Sequence, residues 1–480
     1  MYRRTMIGQQ KLDIPFGVEL NADNRWVKLA SIMPWEKIEE RYAQNFESEK
    51  GEEAKPGRLA FAALYIQNRL AIVDTEVVEQ IRENPSMQYF CGFACYTTEK
   101  PFDSSLLVHF RKRITPEMLK EISQEAFAAE AKKATERNKD DSDDTGGNGG
   151  ESKPKGTLLL DATCCPSDIH YPTDIHLLNH ARELTEEIID SLHEQLARLG
   201  AIKPRTYREI ARKGYLSYAK KRKHTHVEIR FVIGQQLQYV RRNLNSIAKQ
   251  IEYGAKLGKL NRQLYRKLLV ISELYRQQKQ MYDERTHSVE GRIVSISQPH
   301  LRPIVRGKEH NAVEFGAKVA IALVGGFSFM IRLDYDNFPE AKYLKASAEE
   351  YKRIFGFYPK VIIGDRAYTT NENRNYCNST GIRLSGPRRG RKKDEVKEAE
   401  RKQLYVDSCE RNAIEGHFGN GKRKYGLALI MTKLWNTTLT AISFGFFVVN
   451  MERLLRLLSL LNFVAFEIIG NHRRQPSLLI

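Results

Sequence analysis

The chain has 480 residues, 41% of them hydrophobic and 28% charged, which excludes a disordered or collagen-like polymer and leaves room for two or three domains. Lys and Arg exceed Asp and Glu by 77 to 59, a formal charge of +18. Such a field favours polyanions, with nucleic acid the first candidate and a merely basic surface the plainer alternative. The six cysteines, Cys91, Cys95, Cys164, Cys165, Cys377 and Cys409, contain no C-x-x-C pair and read as reduced thiols of a cytoplasmic protein.

No apolar stretch follows Met1-Tyr-Arg-Arg-Thr-Met, so no secretory signal is expected. From about Trp35 to Glu136 the pattern is helical. Asp74-Thr-Glu opens one helix with Val77, Val78 and Ile81 inward, Asp74 being the expected N-cap, and Asn84-Pro85 closes it. Asp103-Ser-Ser opens a second, with Leu106, Leu107 and Phe110 inward and Arg111, Lys112 and Arg113 at its end. Two short helices, the second basic, fit a helix-turn-helix DNA reader. A small bundle whose cations favour a helix C-terminus is the plainer alternative; the basic charge of the chain favours the DNA reader. Residues 1–136 are accordingly expected to form a helical DNA-binding domain. Residues 137–156, rich in Asp and Gly, form a flexible linker before a catalytic domain at 157–470.

Thr157-Leu-Leu-Leu-Asp161 reads as a buried strand ending in a carboxylate. A long helical, basic stretch follows, an insert at about 175–300. Within residues 201–250, Glu209 and Glu228 are the only acids among many Lys and Arg, and Tyr207, Tyr215, Tyr218 and Tyr239 are interleaved. Lys220, Lys221, Arg222 and Lys223 are its densest run. A solvated face is the ordinary reading of such a run; its length and aromatic content suit a surface that tracks DNA. Val313–Val324 and Phe327–Arg332 around Gly325-Gly326 read as a hairpin. A helix over 340–355, a strand at Lys360–Asp365, a short strand at Ile382–Ser385 and helices to about Ile468 complete the chain. The apolar run from Ala441 is interrupted by Glu452, Arg453 and Arg456 and marks a core helix, not a membrane span. Trp435 is expected in the core. The element order predicts an α/β fold with an RNase H-like mixed sheet, flanking helices and a large helical insert after the first strand.

Transfer of a phosphoryl group between DNA strands uses two divalent ions about 4 Å apart. Hard ions take oxygen ligands, so three carboxylates from separate elements suffice. Asp161 and Asp365 end strands expected to be neighbours, and Glu415 lies on the helix after the fifth. An acid directly after an apolar strand is costly unless paired or metal-bound. Asp168 and Asp174 are rivals for the first position, but their polar and proline-containing surroundings indicate loop or cap roles. His170, His176 and His180 read as surface residues that magnesium would not prefer.

Arg411-Asn-Ala-Ile-Glu415-Gly-His-Phe-Gly-Asn-Gly-Lys422 resembles the R-x3-E-x6-K signature around the third acid of bacterial insertion-sequence DDE transposases. Asp365-Arg-Ala-Tyr368 resembles the same family's second-acid segment, and Asp161-Ala-Thr with Tyr171–Leu178 resembles its first. Ser408 stands where many relatives carry tyrosine. The resemblance implies metal ligation by Asp161, Asp365 and Glu415, with two Mg2+ ions per site and Mn2+ able to substitute. Arg411 and Lys422, on the Glu415 face of one helix, would contact phosphate. It further implies double-stranded DNA partners (terminal repeats and target), a homodimer on DNA, no membrane, and work at the nucleoid in the cytoplasm. The rival readings are an RNase H-like nuclease without strand transfer and a catalytically dead repressor derived from a transposase.

Overall fold

The computed structural model describes residues 2, 12–13, 19–46, 53–137, 154–197, 199–305, 313–387 and 394–472. Most of the expected linker, residues 138–153, lies outside them. The chain divides into two compact units: residues 1–166, 318–334 and 338–480 form the first, and residues 167–317 with 335–337 the second.

Among the described residues, seven helices open the first unit: α1 (Arg25–Ile32), α2 (Trp35–Ala43), α3 (Gly57–Leu70), α4 (Asp74–Glu83), α5 (Pro85–Cys91), α6 (Leu106–Arg113) and α7 (Pro116–Arg137). Local chemistry sets their ends. The Asn24 side chain accepts the Trp26 N–H at 2.9 Å, and Asn84 accepts from Ser86 and Met87 ahead of a proline that opens α5. The expected cap at Asp74 is corrected: Val73 holds that position, and the Asp74 carboxylate is engaged by Arg111 instead.

The sheet strands are β1 (Thr157–Pro166), β2 (Arg302–Val305), β3 (Val313–Val324), β4 (Phe327–Asp334), β5 (Val361–Ile363) and β6 (Arg383–Leu384), and their order is β2-β3-β1-β5-β6, with β4 also paired to β3. β3 and β4 are antiparallel, whereas β5 runs parallel to both β1 and β6. A mixed sheet with the hairpin on one side of β1 and two parallel strands on the other is the RNase H-like arrangement. The hairpin turns on Gly325 and Gly326, at φ 56° and 84°, the left-handed pair that a two-residue turn matching strand twist requires. The strand β2 was not expected; Pro303 masks it, and an edge strand tolerates that proline.

Asp161 does not end its strand. Four residues carry β1 on before Pro166, and Ala162, Thr163, Cys164 and Cys165 are all buried. Small, uncharged side chains fit a covered strand, so the carboxylate interrupts the apolar run without terminating it.

In the second unit, α8 (Asp174–Ala197), α9 (Arg208–Ala219), α10 (His226–Glu252) and α11 (Arg262–Glu284) form the basic insert. Thr225 and Asn261 cap the last two. Back in the first unit follow α12 (Leu344–Phe355), α13 (Asn371–Ser379), α14 (Asp394–Lys424) and α15 (Trp435–His472). Ile442, Phe444, Phe447 and Val448 on α15 are buried. Phe61 of α3 meets Phe444 and Phe447 with ring centroids 4.7 and 5.3 Å away. One continuous core joins Trp26, Phe61 and Phe127 of the early helices to Leu158, Ile362 and Phe447. Each such ring removed from water contributes roughly 1.5–3 kcal/mol. Among the described residues no helix is long and apolar enough to cross a membrane. Trp435 is corrected: it is 49% exposed at the start of α15, because the buried face of that helix is filled by residues further along it.

Candidate active site

The two aspartates are brought together by strand register. β1 and β5 pair Leu158 with Ile362 and Leu159 with Ile363. The same parallel offset continued by two residues sets Asp161 beside Asp365. Asp365 lies two residues past β5 and caps a short 3-10 turn, Arg366–Tyr368, accepting the Ala367 N–H at 2.8 Å. Gly364 is required there: a Cβ would come within 2.6 Å of the Tyr368 ring, which folds back under the turn and is fully buried. Asn373 clamps the turn from beneath, its amide donating to both the Tyr368 and Ala341 carbonyls at 2.9 Å.

Burial pushes the Asp161 carboxyl up to about 6. Glu340 and Asp365 add to the rise by charge repulsion, while the Ala162 N–H and Arg411 oppose it. Burial also raises the Tyr368 phenol, reinforced by the charges of Glu340, Asp161 and Asp365. Glu340 is thus a further carboxylate acting on Asp161 beside Asp365. It pairs with Lys318 at 2.8 Å, and the Lys318 ammonium also donates to the Phe338 carbonyl. Nothing in the run Asn337-Phe-Pro-Glu340 sets that acid apart from an ordinary turn residue; only the fold places it here.

The third expected acid sits on α14, which packs against β1. Arg411, Glu415 and Lys422 all lie on this helix, and Arg411 donates to Glu415 at 2.8 Å. Glu415 is exposed and Lys422 half-buried. Two residues on, His417 is buried, stacks parallel to Phe446, and is pushed down to about 4 by that burial and the charge of Arg453. Among the described residues no group of three or more His, Cys, Asp or Glu side chains stands close enough to hold a metal ion. The aspartate pair offers hard oxygen donors that suit magnesium, and Glu415 is engaged by Arg411.

Of the other expected DNA contacts, Arg111 is corrected. It is 4% exposed, and its guanidinium donates to Asp74 and to Gln67, so it ties α6 to α4 and α3. Its neighbour Lys112 is exposed, and Arg113 lies 4.6 Å over the Phe46 ring. The helices α4 and α6 are separated by α5, so they are not a two-helix unit in direct succession. In the second unit Lys220, Lys221, Arg222 and Lys223 are exposed on the loop between α9 and α10, Lys221 pairing with Glu228 at 2.6 Å. Asp168 is exposed, and Asp174 pairs with Arg292.

The Transposase DDE domain family matches residues 362–452, a span holding Asp365, Arg411, Glu415 and Lys422. The Transposase domain (DUF772) family matches residues 16–113. A Rhizobium meliloti protein, described as "Uncharacterized protein ORF8 in nfe locus", is 30% identical over 196 residues, covering 39% of this chain and 87% of that protein. No solved structure matches the chain. Enzymes of the matched DDE family transfer phosphoryl groups on DNA with divalent metal ions. With its RNase H-like sheet and its signature residues on one helix, the chain belongs to the bacterial insertion-sequence DDE transposases.

Proposed function

We propose that this transposase binds the ends of its element and catalyses strand cleavage and strand transfer through Asp161, Asp365 and Glu415. The observation that carries the reading is the β1–β5 register, which sets Asp161 beside Asp365 against the helix bearing Glu415. Bound divalent ions, magnesium first and manganese in its place, would ready the attacking oxygen and neutralise charge on the leaving one. The chain's own part is to gather and hold. Asp161 presents its oxygens from β1 and Asp365 from the turn just after the neighbouring β5, and Glu415 adds its own once Arg411 has turned to phosphate. Arg411 and Lys422 take the backbone near the cut, where a guanidinium fork suits phosphate geometry. Lys318 restrains Glu340 and so limits the negative charge that Asp161 meets. The N-terminal helices of residues 1–136, with Lys112 exposed, supply end recognition, and the loop Lys220–Lys223 supplies affinity independent of sequence. Two copies bring two ends together at nucleoid DNA.

The test is amide replacement in the full chain. Asp161→Asn, Asp365→Asn and Glu415→Gln each abolish magnesium-dependent cleavage while end binding persists. Asp168→Asn, which changes an exposed residue, retains cleavage. Cleavage surviving all three triad amides would end the two-metal reading. Cleavage without rejoining in a two-ended substrate would favour the plain nuclease.

A further inference from the structure

A strip of aromatic rings runs along the second unit. Phe315 and Tyr171 meet edge to face with centroids 5.5 Å apart. His170 lies 4.5 Å from His176, and His176 hydrogen-bonds the Tyr215 hydroxyl at 3.1 Å. One turn further along α9, Tyr218 stacks on His224 at 3.8 Å and 18°. Tyr171 is 65% exposed, His170 is exposed, and His176, Tyr215 and Tyr218 are half-buried.

The strip is fixed in place. The Ser167 N–H donates to the Phe315 carbonyl at 2.9 Å and the Thr173 N–H to that of Tyr171 at 3.1 Å. Burial, with the neighbouring His170 and His180, holds His176 below the ordinary imidazole range, so its ring is neutral at pH 7. Arg212, Lys213, Lys220, Arg222 and Lys223, close in sequence to Tyr215, Tyr218 and His224, are exposed. The carboxylates at its margin are already engaged, Glu183 by Arg182 at 3.0 Å and Glu228 by Lys221 at 2.6 Å.

We propose that this strip is a binding site for unpaired nucleotides, its rings stacking on open bases while those lysines and arginines hold the backbone. A duplex keeps its base faces inside the stack and offers such rings nothing but backbone. Open bases offer a flat face to each ring, and stacking on it tolerates any sequence. The inference rests on the reading of the chain as a DNA-processing enzyme and adds to it a place for strand that has left the duplex.

The experiment follows the full-length protein by fluorescence anisotropy against labelled oligothymidine and, separately, a labelled duplex. Tyr171→Ala and Tyr215→Ala each weaken oligothymidine binding roughly tenfold and duplex binding by no more than about twofold. Tyr171→Phe and Tyr215→Phe, which keep the ring, bind oligothymidine like the parent. Alanine variants that hold oligothymidine unchanged, or that lose both DNAs equally, overturn the proposal. A parent that binds duplex but not oligothymidine overturns it while sparing the transposase reading; a parent that binds neither defeats both.

Discussion

Arg411 donates its Nη2–H to the Glu415 carboxylate at 2.8 Å across one turn of α14, so the two signature residues hold one another. Partly exposed i, i+4 pairs contribute only about 0.3–0.5 kcal/mol. A phosphate that draws off the arginine therefore meets little resistance, and the Glu415 carboxylate is then left without its cation. Arg411→Gln should bind Mn2+ more tightly than the parent in the absence of DNA, and end DNA more weakly. Metal titration by calorimetry measures the first and mobility shift the second. Equal metal affinities would show that the pair does not restrain Glu415.

Asp161 predicts a pH dependence of stability. Its carboxyl is pushed up to about 6 by burial, so the folded state holds this proton more tightly than the unfolded chain does. That contribution is present in full below the unfolded value near 4 and is lost as pH rises through about 6. Without added metal, Asp161→Asn should therefore be more stable than the parent at pH 8, by on the order of 1–2 kcal/mol after allowance for partial exposure, and melt higher. At pH 3.5 the two should converge. Added Mg2+ at pH 8 should raise the melting temperature of the parent and leave that of the variant nearly unchanged. A gap between the two proteins that persists unaltered to pH 3.5 would show the effect to be packing, not charge.

Arg111 and Lys112 are neighbours with opposite expectations. Truncating Arg111 leaves Asp74, 32% exposed, without its cation, so Arg111→Ala should cost about 2–4 kcal/mol of stability, toward the range for breaking a buried pair. Lys112→Ala should leave the melting temperature within about 1 °C and weaken end binding. Thermal melts and mobility shifts on the same preparations separate the two. A stable Arg111→Ala protein with weakened DNA binding would restore that residue to the DNA surface.

The loop between α9 and α10 is testable through salt. Neutralising Lys220, Lys221, Arg222 and Lys223 should weaken binding to every duplex and flatten the salt slope by up to about 3.6, at about 0.9 per lost phosphate contact. The pairing of Lys221 with Glu228 points to a smaller drop when that residue is changed alone. An unchanged slope would place the whole run in bulk solvent.

The candidate residues of this site were picked out from the sequence because their motifs are local. A carboxylate after three leucines, an Asp after Val-Ile-Ile-Gly, and Arg411, Glu415 and Lys422 at helical spacing each announce themselves within a few residues. The glycine turn of the hairpin did so too. Long-range pairing could not be read. The extension of β1 past Asp161 depends on which small side chains become covered, and the burial of Arg111 depends on an aspartate 37 residues earlier. Glu340 looks like any turn acid until the fold sets it near Asp161, and Trp435 looks like core because the helix it begins is so apolar.

The ring contact between Phe61 and Phe444 has a consequence in time. Bacterial ribosomes add about 5–20 residues per second, so this chain takes roughly 25–100 s to make. Phe444 emerges near the end of that interval, after Asp365 and Glu415. Until then the early helices lack the partner that closes their core, and the strand bearing Asp161 waits about 200 residues for the one that sets Asp365 beside it. Synthesis itself is therefore a delay on activity, and a message cut short between Asp365 and α15 yields a chain that holds both aspartates but cannot finish the core that the early helices share with α15.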